Sequence, residues 1–223
     1  MKAGTGEAAE PETLRERAYA SFTQHLLARD FRPGQFVSQR ELAALTGFPL
    51  GAIREMVPRL EAEGLLSTVP QRGMQIAHID INLIREAFQF RLFIEREAVA
   101  LFTQSASDEV IAHLRREHEE IRERGLARPL SQAEEDEAQA VDWAMHDLIV
   151  DSVGNKIISS AYRVNSLKMR LIHQERFRID GRVVSVMGEH LKVIQAIETR
   201  EPQKAMEAMS EHIGNARALA LQI

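Results

Sequence analysis

The sequence contains no cysteine, which excludes disulfides, thiolate metal ligands and a cysteine nucleophile together. No apolar run approaches the roughly 20 residues that a membrane-spanning helix needs. The opening "MKAGTGEAAEPE" is small, polar and acidic, and lacks the apolar core of a signal peptide. There is no HExxH motif, no serine-centred nucleophile motif, no internal repeat and no low-complexity run. These absences leave a cytoplasmic protein with no membrane partner and a disordered tail over residues 1–11. Its 223 residues suffice for one large domain or two small ones.

What is present is uneven. The net charge of −5 argues weakly against nucleic acid when taken whole. Residues 11–78, however, hold 8 basic residues against 7 acids, while residues 79–223 hold 19 against 24. All the positive charge of the first stretch is arginine, the side chain suited to phosphate and base-edge contacts. That permits a nucleic-acid surface there without demanding one.

The same stretch reads as three short helices and a hairpin. Leu14, Ala18, Phe22 and Leu26 recur every four residues, so an amphipathic helix is expected over 13–30. "RPGQ" breaks it, and "SQRE" (38–41) is a capping box that opens a short helix ended by Gly47. A third helix follows from about Pro49, with Ile53, Val57 and Leu60 on one face and Gly64 as its stop. β-formers flank "PQRG", a small hairpin. This order predicts a winged helix-turn-helix over residues 12–78, although such units also serve as protein-docking modules. Residues 79–223 predict an all-helical bundle, with segments near 80–104, 107–124, 131–152, 155–178, 182–200 and 202–221. Gly125 with Pro129, Gly154, Gly181 and Pro202 punctuate them.

Within the helical part, "DWAMH" (142–146) places Asp142 and His146 on one face, since four residues is just over one turn. His190 and His212 each sit on an apolar stripe of a later helix. A single inward histidine is ordinarily a hydrogen-bonded core residue. Four inward polar groups in one core need a common partner. Bundles build metal sites in this way, and an Asp/His₃ set suits divalent Zn, Ni, Mn or Fe with coordination positions left open. His113 lies among charges and is expected to be exposed, while His118, His25 and His78 show no partner pattern. His173 shares a face with Met169 and could reach the same interior.

"FQFRLFIEREAVALF" (88–102) is apolar apart from its charges, with Arg91 and Glu95 four apart. A buried lone guanidinium costs several kcal/mol, so Arg91 either pairs with Glu95 or clamps a carboxylate ligand near the metal. The chief rival reading is an enzyme. "HD" (146–147) is the dyad of helical metal-dependent phosphohydrolases, which would recruit His113 or His118 with Asp151 or Asp180. That reading leaves His190 and His212 idle, and no enzyme is the expectation preferred here.

The segment "PGQFVSQRELAALTGFPLGAIREMVPRLEAEGLLSTVPQRGMQI" resembles the N-terminal winged helix of GntR-family bacterial transcription regulators. The helical remainder resembles the effector domain of their FadR-type branch, with Asp142, His146, His190 and His212 on its Asp-x-x-x-His, His, His pattern. "RLFIE" (91–95) resembles its Arg-x-x-x-Glu. The resemblance implies a homodimeric, ligand-responsive regulator, commonly a repressor, that binds operator DNA and senses a small organic acid near a bound divalent metal. It implies DNA contacts at Arg40, Arg54, Arg72 and Gly73, and an effector contact at Arg91. A regulator for which the metal itself is the signal is a further possibility. Leu50 stands where the family commonly has a guanine-reading arginine, so a different operator is expected, with Leu50 against a thymine methyl. Pro58 lies mid-helix and is expected to bend the reading helix past its DNA-facing end.

Overall fold

The computed structural model describes residues 13–176 and 181–222. The acidic tail over 1–11 and Asp180 lie outside the described residues. The chain divides into two compact units, one ending at His78 and the other beginning at Ile79. No described helix is long and apolar enough to cross a membrane.

The first unit is a winged helix-turn-helix. Helix α1 (Leu14–Leu27) opens on a capping box in which Thr13 accepts from the Glu16 amide and Glu16 reaches back to the Thr13 amide. Its stripe buries Ala18, Phe22 and Leu26, but Leu14, placed on the same face by spacing, is 54% exposed. The apolar partners of the helix begin one turn later, so its first turn has nothing to pack against. Helix α2 (Gln39–Thr46) starts on the Ser38–Glu41 capping box and ends where Gly47 takes a left-handed conformation. Helix α3 (Leu50–Ala62) buries Ile53, Met56, Val57 and Leu60.

Helix α3 continues through Pro58 without a break. Proline removes the amide that would bond the Arg54 carbonyl, but both residues lie on the exposed face, where solvent can reach that carbonyl. The expected hairpin is one strand larger. Strands β2 (Leu66–Val69) and β3 (Gly73–Ile76) pair antiparallel, and a two-residue β1 (Phe36–Val37) adds to the free side of β3. A strand of two residues carries no alternation, so the sequence could not announce it.

The second unit is a bundle of six helices: α4 (Ile81–Ser105), α5 (Asp108–Ala127), α6 (Gln132–Asp151), α7 (Lys156–Arg176), α8 (Val183–Glu198) and α9 (Pro202–Ala220). Helix α4 touches α6, α7, α8 and α9, which explains why it is apolar nearly all round. Helix α5 does not stop at Gly125. The glycine is internal, and a Cβ there would come 2.8 Å from Val184 Cγ2 on α8. The missing side chain admits close packing of α5 on α8, where the sequence alone suggested a helix end.

Candidate functional site

Three inward histidines meet in the centre of the bundle. His146 comes from α6, His190 from α8 and His212 from α9, and one ligand nitrogen of each lies within 4.8 Å of the others. The His146 and His212 rings stack at 5.2 Å, while His190 stands edge-on to His212 at 4.6 Å. Asp142, one turn before His146, is buried beside them, with Oδ1 3.2 Å from His190 Nε2 and Oδ2 accepting from Gln139 Nε2 at 3.0 Å. The three-histidine cluster forms without Asp142, which stands at its edge.

Each imidazole faces a polar partner at Nδ1. Glu95 Oε2 on α4 lies 2.7 Å from His146 Nδ1. Glu189 Oε2 accepts from His212 Nδ1 at 3.0 Å. His118 Nε2 on α5 lies 3.2 Å from His190 Nδ1, and His118 Nδ1 donates to the Leu114 carbonyl at 2.7 Å. A proton drawn to Nδ1 by such a partner leaves the lone pair on Nε2, the usual outer-shell arrangement around a ligating histidine. The Nε2 atoms of His190 and His212 are buried with no hydrogen-bond partner. An unprotonated His190 Nε2 facing the Asp142 carboxylate at 3.2 Å sets two lone pairs against each other, which is unfavourable unless a cation lies between them. The donor set therefore fits a divalent metal: three imidazoles and one carboxylate, with Nε2 of His190 and of His212 making no hydrogen bond.

Charge agrees with geometry. Burial lowers the pKa values of His190 and His212, and for His212 the neighbouring His190 and His146 add to it. Burial also carries His118 down to about 4. These rings are neutral near pH 7, the state in which imidazole ligates.

Arg91 resolves toward the intrahelical pair. Its Nε donates to Glu95 Oε1 at 2.6 Å, and its Nη2 donates to His146 Nε2 at 2.6 Å. Tyr162 also donates to Glu95 Oε1, at 2.6 Å. Burial raises the Glu95 carboxyl, yet Arg91 first and His146 second bring it down to about 2. Arg91 also lines a cavity of about 20 Å³ with Asp142, Arg182, Glu189 and His212. That is room for about one water molecule. The HD dyad does not act as a pair: Asp147 turns away from the histidines to Arg163 (2.6 Å) and Arg170 (3.5 Å). His113 is exposed, as expected, near Glu117.

Residues expected at DNA lie on the surface of the first unit. Arg40 on α2 is exposed, as are Leu50 and Arg54 at the start of α3, where Arg54 Nε donates to Gln39 Oε1 at 3.2 Å. Pro49 provides no side-chain cap, so the first amides of α3 remain open to solvent or an anion. Arg72 sits at the hairpin tip with its guanidinium 3.9 Å above the Phe36 ring. Gly73 follows at φ 93°, where a Cβ would lie 3.0 Å from the Val37 carbonyl oxygen. Only glycine suits that position.

Sequence reasoning missed the residues behind the ligands. His118 did carry a signal, because Ile111, Leu114, His118 and Ile121 form one buried stripe of α5. Glu95 was read only as the partner of Arg91, and Glu189 was not singled out. Their contacts cross from helix to helix, and no spacing within a helix encodes them.

Residues 14–76 match the bacterial regulatory protein gntR family, and residues 86–215 match the FCD domain. The chain is 24% identical over 186 residues to the uncharacterized HTH-type transcriptional regulator YdhC of Bacillus subtilis, covering 83% of this chain and 81% of that one. Its fold is similar to that of E. coli McbR/YncC, with a TM-score of 0.73 at 16% identity, over 95% of this chain and 99% of that one. It is also similar to the metal-free FCD domain of the transcriptional regulator TM0439, with a TM-score of 0.54 at 21% identity, over 66% of this chain and 96% of that one. With a winged helix in the first unit and the FCD helices in the second, the chain belongs to the GntR family of bacterial transcriptional regulators, in its FadR-type, FCD-containing branch.

Proposed function

We propose that this regulator is a homodimeric repressor whose operator affinity is set by a metal-centred site in the helical unit that receives a small organic acid. Residues 12–78 form the DNA-binding domain, and residues 79–223 the ligand-binding and dimerisation domain. One observation carries the metal reading: Nδ1 of each of three inward imidazoles faces a partner within 3.2 Å, while Nε2 of His212 has none and Nε2 of His190 faces only the Asp142 carboxylate. Asp142, His146, His190 and His212 would hold the ion, and Zn, Ni, Mn and Fe all suit these donors. When bound, the metal supplies positive charge and open positions for an anion.

The chain's own residues do the rest. Asp142 is the single anionic ligand, so a divalent ion keeps a net positive charge that favours a carboxylate. Arg91 donates to the same anion from the cavity wall, once its contact with His146 Nε2 is released. On the DNA side, Arg40, Arg54 and Arg72 contact the backbone or base edges, Gly73 allows close approach of the wing, and Leu50 lies against a thymine methyl. A dimer places two α3 helices on half-sites about 34 Å apart. The acid changes operator affinity by binding one arrangement of the two winged helices better than another.

The 20 Å³ cavity favours a second reading, in which the metal alone is the signal, because it holds about one water and an organic acid fits only if the lining side chains move. Metal content per chain tests the shared premise, measured by elemental mass spectrometry on wild type, His190→Ala and Asp147→Ala purified without chelator or affinity metal. About one metal per chain, lost in His190→Ala and kept in Asp147→Ala, is expected. No metal in the wild type would sink both readings, and loss only in Asp147→Ala would revive the phosphohydrolase. Operator binding across a metal titration without acid then separates the acid sensor from the metal sensor.

A further inference from the structure

Resting on that metal reading, we infer that His118, which lies outside the Asp142, His146, His190 and His212 set, is a positioning residue that sets the proton of His190 so that its Nε2 is free for the ion. The chain of contacts runs in one direction. The Leu114 carbonyl can only accept, so His118 Nδ1, 2.7 Å away, carries a proton. In a neutral imidazole the other nitrogen then has a lone pair. That lone pair, on His118 Nε2, faces His190 Nδ1 at 3.2 Å, so His190 carries its proton there and presents an unprotonated Nε2 to Asp142 and the other histidines.

Both rings are fully buried, so water cannot substitute for either partner. The anchor is also rigid. Leu114 and His118 are four residues apart on α5, which makes the carbonyl a fixed part of the helix that carries the ring. His146 and His212 have carboxylates behind them, Glu95 and Glu189. His190 alone of the three has a neutral partner. Its orientation is therefore fixed without adding negative charge to the core, which already holds Asp142 and Glu95 within it.

A purely packing role for His118 makes different predictions, and three measurements on the full chain separate them with Zn²⁺ as the only ligand. Wild type, His118→Leu and His118→Gln are titrated with Zn²⁺ against a competing chelator. Imidazole nitrogen NMR then locates the His190 proton in the metal-free wild type. His118→Leu, which has no acceptor, is expected to bind Zn²⁺ about 10–100-fold more weakly. His118→Gln, whose Oε1 can accept from His190 Nδ1, is expected to recover most of that loss. The metal-free wild type is expected to carry the His190 proton on Nδ1.

Wild-type affinity in His118→Leu, a His118→Gln variant no better than His118→Leu, or a proton on His190 Nε2 would each overturn the role of His118 while leaving the metal centre standing. Failure of the wild type itself to bind Zn²⁺ would overturn the metal centre, and the role of His118 with it. If His118→Leu does not fold, the glutamine variant and the wild-type spectrum decide the matter.

Discussion

The two units carry their polar chemistry in opposite ways. In the winged helix, Arg40, Arg54 and Arg72 stand on the surface, Arg40 beside the Ser38–Glu41 capping box, Arg54 in the first turns of α3 and Arg72 at a tight hairpin. In the FCD unit, Arg91, Glu95, His118, Asp142, His146, His190 and His212 lie in the core, brought together from five helices. A surface arginine is solvated whether or not its partner is present, so it can wait for DNA at no cost to the fold. A buried imidazole or carboxylate has to be satisfied from within, and its binding role is inseparable from stability. Substitutions in the two units should therefore separate cleanly.

The largest effect is expected at Glu95. Glu95→Ala leaves Arg91 buried without its counter-charge and removes the acceptor of Tyr162, so unfolding free energy should fall by about 3–5 kcal/mol. Denaturant titration of the metal-free protein measures it. A loss near zero would mean that the core polar network is solvated, and the contrast between the units would collapse.

Acid comes next. His118 has a pKa of about 4 in the folded chain against an ordinary 6.5, so below 6.5 the unfolded chain takes up a proton that the folded chain refuses. Stability is full above pH 6.5 and falls progressively as pH drops toward 4, by on the order of 3 kcal/mol from this residue. The lowered His190 and His212 act in the same sense. Urea midpoints of the metal-free protein across this range check the sign, and a rise on acidification would contradict it.

The smallest effect on stability, and a clear one on binding, is expected at Arg54. Arg54→Ala should leave the unfolding free energy within about 0.5 kcal/mol. Operator affinity should drop by about 1–3 kcal/mol if the guanidinium reads a base edge. Repeating the titration at several salt concentrations distinguishes a phosphate contact, whose loss flattens the salt dependence, from a base contact, whose loss relaxes sequence preference.

How far the sequence could be read follows the same division. The winged helix was legible because its signals are short-range: Ser38 and Glu41, Gly47, and the hairpin residues act on neighbours a few positions away. The six bundle helices were legible from periodicity, and so was the inward direction of Asp142, His146, His190 and His212. Gly125 misled, because a glycine can serve packing as well as termination.

The sequence by itself determined which faces turn inward and where each helix begins, since both depend on spacing along one chain. Only the tertiary structure decided what those inward groups meet. It put His118 behind His190, Glu189 behind His212 and Glu95 behind His146, and it gave Arg91 both Glu95 and His146 as partners. Proton placement and the direction of a lone pair depend on contacts between helices far apart in sequence. No periodicity within one helix can specify them.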